Sequence, residues 1–123
     1  MDKGSVELLK LLDKVKKMTH DEFMEFYLSG WDSINYTPNV KAILKNDNID
    51  LYILFTNNVI KKINIKQMIK DYPELKDIDD YSLFHVATIY YDEYGIGWDG
   101  EYDIHKQYLW RNGTLITNND FLN

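Results

Sequence analysis

The chain has 123 residues, 45% of them hydrophobic, and a formal net charge of -6, with no cysteine at all. That length fits one ordinary domain with enough apolar surface for a core of its own, and the missing thiols exclude disulfides, thiolate zinc sites and a cysteine nucleophile. The first 17 residues mix five lysines and three acids into their apolar stretch, so they read as neither signal peptide nor membrane span and point to a soluble, cytoplasmic protein.

Ser5 stands before an apolar pattern and reads as an N-cap. Leu8, Leu12 and Val15 recur at i, i+4 and i+7, with Leu11, Val15 and Met18 as a parallel row and Lys10, Lys14 and Lys17 opposite. The spacing predicts an amphipathic helix of about 13 residues, near the common length. Thr19-x-x-Glu22 is a capping box that opens a second helix. Phe23, Phe26 and Tyr27 give it an aromatic stripe, and Gly30 ends it. Residues 31–39 lose the pattern and read as a connecting loop.

From Val40 the period changes from 3.6 to 2. Val40, Ala42 and Leu44 alternate with Lys41 and Lys45. Asn46-Asp47-Asn48 signals a turn, and Ile49, Leu51, Ile53 and Phe55 then share one strand face. Asn57-Asn58 reads as a two-residue type I′ hairpin connection, because asparagine tolerates positive φ. Residues 59–63 return as a third strand of an antiparallel meander. Asn64 caps a short helix at about 65–71, which stops ahead of Pro73. Asp79-Asp80 caps a further turn at 81–84, HVATIYY reads as a strand, and GIGW as a short return strand after a turn at 91–94. Asp103 is placed to cap a last helix at 104–111, closed by Asn112-Gly113. A marginal strand at 114–117 and a frayed tail complete the chain. Hairpins separated by helices predict an α+β fold rather than a βαβ series.

The candidate chemistry is thin. Gly95-x-Gly97-x-x-Gly100 has the spacing of a dinucleotide fingerprint. That loop needs a helix N-terminus after it. Here Asp99, Glu101 and Asp103 would repel a phosphate, and Trp98 would block its close approach. The glycines therefore read as structural, and Trp98 as the residue of this stretch whose loss unfolds the chain. Counting from Asp99 as a calcium loop puts Ile104 and Trp110 where glycine and glutamate are required. The three histidines lack metal-ligand spacing, and Asp80, Ser82 and His85 on one turn cannot form a relay. No cofactor, metal or catalytic residue is expected.

Charge is unevenly placed. Residues 71–103 hold ten acids against the single Lys76, which argues against nucleic acid as a partner. The block reads as a solvated face or as a surface for a basic partner, with Asp79, Asp80, Asp92 and Glu93 as its candidate contacts. Leu8, Leu12 and Val15 either cover the sheet or meet a partner.

L-x-I-x-F-x-N-N-V at 51–59, P-E-L-K-D-I, and LFHVATIYYDEYGIGWDGEYDIHKQYLW resemble the prokaryotic family called domain of unknown function 2442 over residues 38–113. Phe55, Phe84, Gly95, Gly97, Trp98, Asp103, Leu109 and Trp110 fit its pattern as structural positions. Asn64 stands where the family usually has aspartate, and Gly100-Glu101 replaces a frequent Asn-Gly. The resemblance implies a small two-layer α+β domain with no established activity, in a regulatory or toxin–antitoxin-like setting. Three segments are expected: a helical arm at 1–36, the α+β domain at 37–113 and a tail at 114–123. The expected function is a non-enzymatic protein-binding or regulatory module. The alternative is an acidic, nucleic-acid-mimicking inhibitor of a nucleic-acid-binding protein, of phage or defence origin. A homo-oligomer through an exposed edge strand is also open.

Overall fold

A four-stranded antiparallel sheet divides the chain into layers. The computed structural model describes residues 3–29, 37–46, 48–79, 87–89, 94–98 and 102–116. The elements run α1 (Lys3–Lys16), α2 (His20–Ser29), β1 (Val40–Lys45), β2 (Asp50–Phe55), β3 (Ile60–Asn64), α3 (Ile65–Asp71) and a 3₁₀ helix (Pro73–Asp79). They continue with β4 (Ala87–Ile89), β5 (Gly95–Trp98), β6 (Tyr102–His105), α4 (Lys106–Asn112) and β7 (Thr114–Leu115). The large sheet has the order β1-β2-β3-β7, and β4-β5-β6 form a second, three-stranded sheet. The architecture is α+β. Predicted segments at 31–36 and 81–84, Gly30, and the tail beyond Ile116 lie outside the described residues.

Strand alternation sends side chains to opposite faces. Leu51, Ile53, Phe55 and Ile63 pack against α3, the 3₁₀ helix, the small sheet and Leu109 of α4. Ala42, Leu54 and Ile60 face the other way, onto Leu8, Leu12, Val15 and Phe23. A register shift between Val40 and Ala42 marks a bulge and puts Val40 in the first cluster with Ile43. Val40 therefore does not share a face with Ala42 and Leu44, as simple alternation had it.

Several local expectations hold in detail. Thr19 N–H donates to Glu22 Oε1 (3.1 Å) and Glu22 N–H to Thr19 Oγ1 (3.2 Å), so the capping box is formed. Asn64 Oδ1 accepts from Lys66 N–H at 2.9 Å and caps α3. Asn46 Oδ1 accepts from both Asn48 and Asp50 N–H at 2.9 Å and closes the β1–β2 turn.

Other expectations are corrected. Ser5 lies inside α1 and is buried; its hydroxyl donates to Ile43 O at 2.6 Å, tying helix to sheet instead of capping. Asn57-Asn58 is no type I′ turn, because Asn58 alone of the pair has positive φ, at 69°. Asn58 N–H donates to Phe55 O (3.1 Å) and Phe55 N–H to Val59 O (2.9 Å). Those bonds make a three-residue loop, a type I turn closed by a left-handed residue. Asp103 does not cap the last helix. It lies in β6, and His105 caps α4 by accepting Gln107 N–H on Nδ1 at 3.2 Å. The strand β6 itself was not foreseen.

The amino-terminal helix is part of the core. Leu8 is 0% and Val15 1% exposed against the sheet, and Ile116, with its N–H on Ile60 O (2.9 Å), completes the same cluster. Burying each such side chain is worth about 1.5–3 kcal/mol. Leu8, Leu12 and Val15 are therefore taken up within the chain, where they cover the sheet.

Candidate functional site

Where β6 turns directly into α4, the chain leaves a cleft of about 680 Å³ between this corner and the end of α3. Its walls are Asp103, Ile104 and His105 of β6, one face of α4 bearing Gln107, Tyr108, Arg111 and Asn112, and the Tyr72–Leu75 segment. Leu75 and Ile104 are buried and form an apolar floor, while Tyr72, Glu74, Asp103, His105, Gln107 and Arg111 are exposed.

The walls are fastened from behind. Tyr108 O–H donates to Asp71 Oδ2 at 2.7 Å. The Tyr72 and Tyr108 rings meet edge to face at 5.1 Å. Gln67 Nε2 donates to Asn112 O at 3.3 Å. Partial burial, and then the bond to the Asp71 carboxylate, raise the Tyr108 phenol above its ordinary range, so it stays a donor. Across α4, Lys61 Nζ donates to Trp110 O and lies 4.1 Å over the Trp110 ring. Burial lowers the Lys61 pKa. Trp110 in turn meets Phe55 edge to face at 5.0 Å.

The other sequence-predicted residues are scattered. Phe55 and Trp98 are fully buried in the core, and all four residues of β5, Gly95 and Gly97 among them, are buried. The glycines pair with β6 (Gly97 opposite Asp103, Gly95 opposite His105), so a strand follows them where a phosphate loop needs a helix. Asp103 alone of the predicted residues lines the cleft. Asp79 ends the 3₁₀ helix, and Asp80, Phe84, Asp92 and Glu93 lie outside the described residues. Sequence reasoning missed Tyr72, Glu74, Gln107, Tyr108 and Arg111. The i, i+4 pairs Gln107–Arg111 and Tyr108–Asn112 were the available signal for one helix face.

Among the described residues, no group of three or more histidines and carboxylates could hold a metal ion, and no helix is long and apolar enough to cross a membrane. Comparison with protein-family models, curated proteins and solved structures found no match.

Proposed function

We propose that the protein is a non-enzymatic, regulatory protein-binding module whose partner docks in the cleft between β6, α4 and the Tyr72–Leu75 segment. One observation carries the reading: a cleft open to solvent whose walls are the Tyr72 and Tyr108 rings with charged and amide side chains, set over the buried Leu75 and Ile104. An apolar centre with a polar rim, with tyrosines contributing, is the anatomy of a protein interface. The cleft holds His105, but its Nδ1 accepts the Gln107 amide, and no nucleophile is placed beside it among the described lining residues. The site is therefore read as a surface for recognition. The competing surface, the apolar face of α1, is already filled by the sheet.

A photo-reactive phenylalanine analogue at Gln107, with Glu25 on the exposed side of α2 as control, tests this reading. The expected result is one dominant protein adduct in an extract of the source cell from the Gln107 position alone. Adducts from Glu25 alone, or equally from both positions, overturn it.

A further inference from the structure

We infer that the docked part of the partner is an extended segment of alternating basic and apolar residues, added to β6 as a further strand. The inference rests on the docking reading above and deepens it by fixing the conformation and charge of the occupant.

The phase of the ladder comes first. Lys106 N–H donates to Tyr94 O at 2.7 Å, and the register from Gly95–His105 to Trp98–Tyr102 is unbroken. Bonded and non-bonded pairs alternate in an antiparallel ladder. Ile104 and Tyr102 therefore bond to β5, while the N–H and C=O of Asp103 and the N–H of His105 point to the opposite edge. Among the described residues β6 is the outer strand of its sheet.

The cleft follows that edge. Successive side chains on a strand point to opposite faces, and Ile104 is buried in the core while Asp103 and His105 are exposed. A cleft lined by all three must run along the backbone edge itself.

Chemistry on the two sides of the edge differs. An added strand sets alternate side chains on the side of the sheet to which Ile104 points, toward the core, which suits apolar residues. The others stand on the face of Asp103 and His105; the one opposite Asp103 has a carboxylate directly across from it, which suits Lys or Arg. Glu74 on the rim adds a second acid against the single Arg111, and the chain as a whole is acidic. Strand addition draws affinity from main-chain bonds and specificity from alternate side chains.

The probe is a labelled hexapeptide of alternating valine and lysine, titrated into the full chain. Saturable binding is expected, with slowed hydrogen exchange at the Asp103 and His105 amides. Methylating the peptide nitrogens of one edge should weaken it by roughly tenfold or more. Asp103→Lys should cause a similar loss and transfer preference to a valine–glutamate peptide, with Asp103→Asn as an intermediate that guards against misfolding. Equal binding of the methylated peptide, with shifts still at Tyr72 and Tyr108, overturns the added strand and leaves docking in the cleft intact. Absence of saturable binding to folded protein, or pairing of β6 with β6 of a second copy in sedimentation, also overturns the inference. In either case the Gln107 cross-link decides the docking reading separately.

Discussion

The Tyr108 hydroxyl and the Asp71 carboxylate meet at 2.7 Å, a bond that spans 37 positions in sequence and joins α4 to the last residue of α3. It holds the two long walls of the cleft at a fixed separation. Tyr108 serves twice, since its ring also packs on the edge of Tyr72.

Breaking that bond has a pH signature. The folded phenol titrates above its unfolded value, which lies near pH 10. The bond's contribution is complete below that pH and is lost as pH rises through the alkaline range. Tyr108→Phe should cost roughly 0.5–1.5 kcal/mol at neutral pH. Urea midpoints of wild type and variant should converge as pH passes about 10; a constant difference across that range contradicts the assignment.

Trp98 is fully buried, and its indole N–H has no hydrogen-bond partner among the described residues. Its contribution is therefore packing. Trp98→Ala should lose about 3–5 kcal/mol of stability. Trp98→Phe removes the orphaned donor along with part of the ring, so its loss should be much smaller. Equilibrium urea unfolding measures both, and equal losses would show that the N–H is satisfied in solution.

Gly113 follows α4 at φ -71°, a value any residue adopts. A side chain is excluded there by space: a Cβ would lie 2.8 Å from Leu109 O and 2.9 Å from Lys61 Cβ. Gly113→Ala should destabilise by roughly 1–3 kcal/mol. It should also disturb the neighbouring β3–β7 pairing, visible as faster amide exchange at Ile116. A neutral substitution contradicts the close packing of α4 on β3.

The Glu22 carboxylate is held below its ordinary range, first by the Thr19 backbone N–H and then by the Thr19 hydroxyl. A depressed carboxylate contributes stability above its unfolded pKa, near 4.3, and loses it as pH falls further. Acid titration should therefore release α2 helicity in wild type below that point, with a flatter profile in Glu22→Gln. Identical circular-dichroism profiles would place the cap outside the stability of α2.

Local signals were legible wherever one residue settles a local geometry. Thr19-x-x-Glu22 and Asn64 gave helix starts because a side-chain oxygen reaches an amide two or three residues on. Leu51, Ile53 and Phe55 gave a strand face by period alone, whereas Ile49, expected on the same face, precedes β2 in the turn at φ 57°. The failures came from tertiary context. Ser5 reads as a cap until β1 supplies Ile43 O as its acceptor. Val40 changes face at a bulge that no period reveals. Tyr102–His105 alternates apolar and polar residues too briefly to declare a strand, and that hid both β6 and the true cap, His105. The cleft was illegible for the same reason: Tyr72 and Tyr108 lie far apart in sequence and meet only once α3 and α4 are packed.

Docking in the cleft is tested most directly by amide hydrogen exchange of the whole chain, alone and with the purified protein recovered by the Gln107 cross-link. Protection should be confined to residues 72–75 and 102–112, with the outer face of α1 around the exposed Leu9 unchanged. Protection centred on α1, or none in the cleft at saturating partner, would contradict the proposed site.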